Sequence, residues 1–121
     1  MPTIVALVDD LMFLSRIREA AARPGVEVKA VRNAGALLDA CRAEAALVVA
    51  DLDSPRLHAI DAIRSLRADP AGAALTVIGF FSHVHSERAR DATAAGASQV
   101  LPRSAFVREL GALVAAAARP E

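Results

Sequence analysis

Two apolar segments of this chain end in carboxylates. Residues 4–8 are followed by Asp9 and Asp10, and a second apolar run, residues 46–50, is followed by Asp51. Because the carboxyl ends of parallel strands meet at one edge of an open α/β sheet, we expect these side chains to lie close together. Two carboxylates about 4 Å apart repel by roughly 4 kcal/mol at an effective dielectric of about 20. The cluster therefore requires a cation, and its oxygen donors suit Mg²⁺.

The same edge is predicted to carry groups that bind a phosphoryl group. Ser82 follows the fourth predicted strand, and Arg103 follows the fifth. Asp51 is then expected to act both as a metal ligand and as a nucleophile, because attack of a carboxylate on a phosphoryl donor gives an acyl phosphate. Ser82 is expected to donate a hydrogen bond to one phosphoryl oxygen, and Arg103 to neutralise another. The pattern predicts phosphoryl-transfer chemistry at Asp51.

Short aliphatic runs alternate with alanine-rich helical segments along the chain, which is the pattern of repeated βα units. Between the runs, apolar residues recur at helical spacing, for example Leu14, Ile17 and Ala21. The pattern predicts a doubly wound α/β fold, a five-stranded parallel sheet with helices on both faces. The strands are predicted at residues 3–8, 26–31, 46–50, 75–80 and 99–101.

Composition restricts the classes of function. The chain has 121 residues, which fit a single domain spanning residues 1–121. Its 14 basic and 14 acidic residues balance, so we expect no direct binding of nucleic acid or of an anionic membrane. No apolar run approaches the roughly 20 residues that span a bilayer, and the N-terminus lacks the pattern of an export signal. A cytoplasmic protein is expected, and the single Cys41 agrees with a reducing compartment.

Several polar residues stand where helices are predicted to begin. Asn33 and Ser54 are predicted N-caps, and Pro55 follows Ser54 as a first-turn proline does. Asp9 and Asp10 have an alternative role of the same kind, since carboxylates stabilise helix N-termini. The sequence leaves both roles open for this acidic pair.

Two further segments receive a structural interpretation. The charged segment 87–91, which contains Arg88 and Arg90, is interpreted as an exposed helical face and not as a nucleic-acid patch. The segment His83-Val84-His85 has the alternate-residue spacing of a transition-metal site, but the sequence offers no third ligand. We therefore interpret it as a solvated loop.

The order of these motifs resembles that of the receiver domains of two-component response regulators, over essentially the whole chain. The family's acidic pair corresponds to Val8-Asp9-Asp10, and its phosphorylated aspartate, with a proline four residues later, corresponds to Asp51 and Pro55. The further matches are a hydroxyl after the fourth strand, a Gly-Ala before the fifth and a basic residue at its end, namely Ser82, Gly96-Ala97 and Arg103. The resemblance implies the flavodoxin-like strand order 2-1-3-4-5.

The resemblance also implies roles for individual residues. Asp10 is expected to bind Mg²⁺ directly, Asp9 through water, and Asp51 to accept a phosphoryl group from a histidine kinase or phosphotransfer protein. Asp53, two residues after the acceptor, would add negative charge beside the metal. Signals would pass to an unspecified output protein, and two copies are expected to pair through helix 4, strand 5 and helix 5, roughly residues 86–118. No enzymatic turnover is expected beyond phosphorylation of the domain itself and its reversal.

Three positions depart from the family pattern. The family's lysine followed by proline is replaced by Arg103 followed by Ser104, and arginine presents a rigid planar fork in place of a compact ammonium group. Val100 stands where many receivers carry a switching aromatic residue. Counting back from Arg103 by the family's usual interval places Phe81 at the hydroxyl position, so Ser82 takes that position only if the loop is one residue shorter. All three departures concern the part of the site that senses the phosphate.

Other functions remain open at this point. The departures support a degenerate receiver that acts as a constitutive protein-interaction module. An enzyme is a third hypothesis, because Asp51-Leu52-Asp53 resembles the Asp-x-Asp motif of haloacid-dehalogenase-type phosphatases, although that family carries the motif on its first strand. Flavin binding is the weakest hypothesis, since the aromatic residues are four phenylalanines. The phosphoacceptor receiver is the leading one.

Overall fold

The computed structural model describes residues 2–82 and 86–119, so the predicted loop at His83-Val84-His85 lies outside the described residues. The strands are β1 (Thr3–Leu7), β2 (Glu27–Val31), β3 (Leu47–Asp51), β4 (Val77–Phe81) and β5 (Gln99–Pro102). The helices are α1 (Leu11–Ala22), α2 (Ala34–Ala43), α3 (Ala59–Ala68), α4 (Ser86–Ala95) and α5 (Arg103–Ala118). Each predicted strand begins and ends within about two residues of the observed one, which is the usual accuracy for element ends.

The five strands form one parallel sheet in the order β2-β1-β3-β4-β5, which confirms the predicted fold class and strand order. Pairing of β1 with β3 sets Leu7 opposite Ala50. Both strands therefore end at the same level, and the acids that follow each of them meet at the carboxyl edge of the sheet.

The two faces of the sheet are covered by different helices. Alternate residues of each strand point to opposite faces, so Val5 and Leu7 pack in the core beneath α2, α3 and α4, while Ile4 and Ala6 pack beneath α1 and α5. β1, β3 and β4 are buried along their entire length, which explains their continuous apolar sequences. Burial of each large aliphatic side chain stabilises the fold by about 1.5–3 kcal/mol, and this rigid sheet holds the polar edge in place.

The helix starts were predicted with mixed success. Asn33 is the N-cap of α2, and its side-chain oxygen accepts a hydrogen bond of 2.8 Å from the backbone N–H three residues later. The prediction for Ser54 was wrong, because the N-cap position of α3 is His58, whose φ of 48° places it in the left-handed region. The hydroxyl of Ser54 donates instead to Asp9. Residues 52–58 form a loop between β3 and α3, and this loop faces the acid cluster.

Two properties of the helices bear on the expectations from composition. Within the described ranges, every helix is too short or too polar to traverse a bilayer. Cys41 is buried in α2, and this burial, followed by the nearby Asp69 carboxylate, raises the pKa of its thiol. A buried thiol of raised pKa packs as a small hydrophobic side chain.

Candidate functional site

The candidate site lies at the carboxyl edge of the sheet, where the loops after β1, β3, β4 and β5 are neighbours. The structure brings the predicted site residues to this edge: Asp9, Asp10, Asp51, Asp53, Ser82 and Arg103. A parallel sheet places successive strand ends on one edge, so residues more than 90 positions apart in sequence share one site.

Asp51 is the most deeply buried acid of the cluster. It is the last residue of β3, and only 3% of its surface is exposed. One oxygen, Oδ1, accepts a hydrogen bond of 2.9 Å from the N–H of Asp53, and the other, Oδ2, lies 3.7 Å from Nη2 of Arg103. Burial raises the pKa of Asp51 above its ordinary value, the carboxylates of Asp53 and Asp9 raise it further, and the Asp53 N–H and Arg103 oppose the rise. A buried carboxylate of raised pKa is more basic and thus a better nucleophile when it is ionised.

Asp10 has two functions, one for each oxygen. Oδ1 accepts hydrogen bonds of 3.0 and 3.1 Å from the N–H groups of Met12 and Phe13, so Asp10 is the N-cap of α1. The alternative role considered for the acidic pair is confirmed for this residue. Oδ2 remains at the site, 3.6 Å from Nη1 of Arg103. Helix capping therefore fixes the carboxylate while leaving one oxygen for the cluster.

Asp9 is held by the loop after β3. Its Oδ2 accepts hydrogen bonds from the hydroxyl of Ser54 at 3.1 Å and from Nε of Arg56 at 3.0 Å. Arg56 was not predicted as a site residue. Its position directly after Pro55, five residues beyond Asp51, is the only signal in the sequence that it returns towards the acids.

Asp53 connects the loop after β3 to β4 and α4. Its Oδ2 accepts a hydrogen bond of 2.7 Å from the N–H of Ser82, while Oδ1 is buried and has no hydrogen-bond partner among the described residues. Nη1 of Arg88 lies 3.6 Å from this Oδ1 and donates to the carbonyl oxygens of Leu52 and Asp53 at 3.2 and 2.9 Å. The interpretation of Arg88 as part of an exposed face was therefore wrong, because its long side chain reaches back from α4 to the site.

Arg103 lies between the acids and an aromatic cluster. Its guanidinium carbon is 4.8 Å from the centre of the Phe13 ring and 5.5 Å from that of Phe80. These two rings stack at 4.5 Å, and both also stack on Phe106. A planar, weakly hydrated guanidinium suits an aromatic surface better than an ammonium group does, which gives a physical reason for arginine at this position.

The structure distinguishes Phe81 from Ser82, the two residues considered for the position after the fourth strand. Phe81, the last residue of β4, is buried in the core beneath α2, α3 and α4. Ser82 is the next residue and lines a cavity together with Asp10, Asp53 and Arg103. Of the two, only Ser82 is in reach of the site's polar groups.

A cavity of about 670 Å³ opens beside the acids, between the first turns of α1 and α5. Arg16, Met12 and Val107 line it together with the polar residues of the site. Met12 is 83% exposed, and its neighbour Leu11 is 70% exposed, which is unusual for large apolar side chains in an otherwise well-packed chain. The acid cluster is thus open to solvent and to an incoming molecule from one side.

The donor set of the cluster fits a magnesium ion in its chemistry. Four carboxylates supply hard oxygen atoms, and the two that meet Arg103 each keep one oxygen without a hydrogen bond from a described residue. In the described ranges, however, no three acidic, histidine or cysteine side chains are grouped closely enough to hold a metal. Guanidinium groups stand among the acids instead, with Arg56 on Asp9, Arg88 on Asp53, and Arg103 between Asp10 and Asp51.

Comparison with known proteins identifies the fold. No protein-family model matches the sequence, and no curated protein does. A response regulator from Hahella chejuensis is similar in structure, with a TM-score of 0.82 and 20% identity over 97% of this chain and 95% of that one. The phosphorylated cyanobacterial phytochrome response regulator RcpA has a TM-score of 0.75 and 19% identity, with coverages of 93% and 88%.

A third solved structure is the receiver domain of a sensor histidine kinase from Pseudomonas aeruginosa, described with a magnesium ion coordinated in the active site cleft. It has a TM-score of 0.75 and 17% identity over 94% of this chain and 98% of that one. Each similarity covers nearly the full length of both chains. With its strand order and its acids at the carboxyl edge, this chain has the fold of a response regulator receiver domain.

Proposed function

We propose that this domain works in two-component signal transduction and accepts a phosphoryl group on Asp51. The observation that carries the proposal is the buried Asp51 carboxylate at the end of the central strand β3, with Asp9, Asp10 and Asp53 nearby and Arg103 facing its Oδ2. The similarity to a phosphorylated response regulator supports this role. The phosphoryl donor is a histidine kinase or a phosphotransfer protein.

Transfer proceeds by nucleophilic attack of Asp51 Oδ2 on phosphorus. The bond between phosphorus and the donor nitrogen breaks as the bond to Oδ2 forms, the electron pair leaves with the donor imidazole, and an acyl phosphate results. Oδ1 is held by the N–H of Asp53, so Oδ2 is the oxygen available for attack. Arg103 neutralises charge on the phosphoryl oxygens, and the Ser82 hydroxyl donates a hydrogen bond to one of them.

Mg²⁺ is part of the proposal, supported by the carboxylate oxygens of the site and by the neighbour described with magnesium. The residues that would hold it are Asp9, Asp10, Asp51 and Asp53, which would have to approach one another more closely than they do in this structure. When bound, the ion would neutralise the negative charge that acids and a phosphoryl group accumulate at one point. The buried Oδ1 of Asp53 has no hydrogen-bond partner among the described residues and lies 3.6 Å from Nη1 of Arg88, so it can still accept a closer cation.

The signal passes through protein contacts. The proposed partners are the phosphoryl donor and an output protein, with pairing of two copies through α4, β5 and α5. The proposal includes a cytoplasmic location and no direct contact with nucleic acid or membrane. It assigns no turnover of a separate substrate, only phosphorylation of the domain and its reversal.

A second candidate is a constitutive protein-interaction module. The observation that favours it is the pairing of every acid in the cluster with an arginine, which stabilises the site without metal or phosphate. Under this alternative the domain presents one fixed surface to its partner.

Intact-mass measurement after incubation with Mg²⁺ and acetyl phosphate distinguishes the two candidates. We expect the mass of one phosphoryl group to be added to the parent and to be missing from Asp51→Asn. Asp61→Asn on the exposed surface of α3 is the matched control, and it should gain the same mass as the parent. Absence of the adduct with several small phosphodonors would reject phosphoryl acceptance in favour of the constitutive module.

A further inference from the structure

We propose that Arg103 occupies the cation position of the acid cluster and must withdraw before a divalent cation binds, so that Arg103 sets the affinity of the site for Mg²⁺. This inference rests on the proposed function, since it concerns the regulation of the same site. In this arrangement a side chain of the domain itself neutralises the acids.

Arg103 faces one particular oxygen on each of two carboxylates. Oδ1 of Asp10 is committed to the helix cap, and Oδ1 of Asp51 accepts the hydrogen bond from Asp53. The oxygens that remain are Oδ2 of each residue, and the guanidinium spans them, with Nη1 at 3.6 Å from one and Nη2 at 3.7 Å from the other. A metal ion that binds Asp10 needs this Oδ2, and it needs the space beside Asp51 that the guanidinium fills.

Aromatic rings help to hold the guanidinium of Arg103 in this position. Phe13 and Phe80 also lie against it, at 4.8 and 5.5 Å from ring centre to guanidinium carbon. Phe80 is fully buried and Phe13 nearly so, which makes this aromatic surface a fixed part of the core. The cation is therefore positioned by both the acids and the rings, and its placement does not depend on one flexible contact.

The ion pairs of Arg103 are long. Separations of 3.6 and 3.7 Å exceed the 2.7–2.9 Å that is typical of a charge-assisted hydrogen bond. The attraction is coulombic, without hydrogen bonds that would have to break, and 38% of the Arg103 side chain is exposed. Arg103 is thus a displaceable competitor of the metal and not a permanent block.

Calorimetric titration of the unphosphorylated protein with MgCl₂ tests the proposal, in a buffer of about 0.15 M salt that screens distant charges. We expect Arg103→Met to bind Mg²⁺ about tenfold more tightly than the parent, because methionine packs on the rings without carrying charge. Arg103→Lys should fall between the two, since a compact ammonium spans two carboxylates less well.

Arg16→Met is the matched control. Arg16 lines the same cavity and loses the same charge on substitution, but it forms no ion pair with a carboxylate among the described residues. Its Mg²⁺ affinity should stay within about twofold of the parent, as expected for a screened charge. Far-UV circular dichroism checks that each variant is folded.

Four results would each overturn the proposal. They are equal Mg²⁺ affinities for the parent and Arg103→Met, weaker binding by Arg103→Met, equal gains in affinity in both methionine variants, and no Mg²⁺ binding by any variant. Its failure is distinguishable from failure of the proposed function. If Asp51 is phosphorylated and the affinities are equal, the function stands without this role of Arg103. If Arg103→Met gains affinity and no adduct forms on Asp51, the role of Arg103 stands without phosphoryl acceptance.

Discussion

One arginine lies at the amino edge of the sheet and another at its carboxyl edge, and the two are held by different kinds of contact. Arg67, on α3, lies at the amino edge, where β4 and β5 begin, whereas Arg103 lies at the carboxyl edge, where β5 ends. Nε and Nη1 of Arg67 donate hydrogen bonds of 2.8, 2.7 and 2.6 Å to the carbonyl oxygens of Gly96, Gly72 and Leu75. These short distances are typical of charge-assisted hydrogen bonds, and all three acceptors belong to the main chain.

Several segments of the chain pack around Arg67 at the amino edge of the sheet. Its Nη2 donates to the hydroxyl of Ser98 at 3.0 Å. Gly96 has a φ of 120°, and a Cβ atom there would lie 2.5 Å from Cγ of Arg67. A residue with a side chain would be strained by the backbone angle and would collide with the arginine. The loops before β4 and β5 are thereby fixed to one another and to α3.

Arg103 differs because its partners are side chains and its contacts are long. Ion pairs of 3.6 and 3.7 Å to Asp10 and Asp51, together with the face of Phe13, locate the guanidinium without saturating its donors. The same residue type thus stabilises the fold where it satisfies main-chain carbonyls, and it remains available for function where it faces charges that can acquire other partners. Three substitutions test this contrast.

Arg67→Met should have the largest effect. Removing the guanidinium leaves several carbonyl oxygens without donors, and we expect the free energy of unfolding to fall by about 3 kcal/mol. The measurement is urea unfolding followed by far-UV circular dichroism, because the chain has neither tryptophan nor tyrosine for fluorescence.

Arg64→Met is the matched control for that experiment. Arg64 lies on the same helix and pairs with the exposed Asp61. Its substitution should change the unfolding free energy by less than about 0.5 kcal/mol. If Arg67→Met behaved like Arg64→Met, the contrast between the two edges would be lost.

Asp51→Asn should stabilise the fold, whereas Arg67→Met should destabilise it. Burial raises the pKa of Asp51, so the folded state disfavours its ionised form, and a neutral amide that can still accept the Asp53 N–H removes that cost. We expect the unfolding free energy at pH 7 to rise by about 1 kcal/mol.

The pH dependence gives the same prediction a second measurement. A group with a raised pKa in the folded state contributes stability at pH values below its unfolded pKa and loses that contribution as the pH rises through the folded one. The advantage of Asp51→Asn should therefore shrink as the pH is lowered towards the ordinary aspartate pKa. Destabilisation at pH 7 would mean that attraction to Arg103 outweighs burial.

Arg103→Met should have the smallest effect on stability. Its partly exposed ion pairs and its aromatic contact are each weak, and methionine retains packing against the rings. We expect the unfolding free energy to change by less than about 1 kcal/mol in the same urea experiment. A loss comparable to that of Arg67→Met would make Arg103 a structural residue and remove the contrast.

Most of the fold was predictable from the sequence, and so was the location of the acids. Strands buried on both faces carry continuous apolar residues, which identify them without tertiary information. Asp9, Asp10 and Asp51 follow such strands directly, so their meeting at one edge depends only on parallel pairing. Ser54 was assigned incorrectly because a cap is a local motif, and a partner 45 residues away took its hydroxyl.

The partners of the acids were not predictable, and Arg88 shows why. It was interpreted as a surface residue from the charges beside it, yet its guanidinium reaches the carbonyl oxygen of Asp53, 35 positions earlier. The path of a long, flexible side chain depends on how α4 packs against α3 and on the position of the loop after β3. The spacing of apolar residues in the sequence gives no information about the packing of α4 or the position of this loop.

The order of elements, the buried strands and the edge at which four carboxylates gather can all be read from the sequence, because they follow from the local hydrophobic pattern and from the geometry of parallel pairing. The tertiary structure alone decided which cation meets which acid. Arg56 pairs with Asp9, and Arg103 lies between Asp10 and Asp51 on an aromatic surface assembled from β4, α1 and α5. Such pairings depend on distances of a few ångströms between separate elements, which are fixed only when the core has packed.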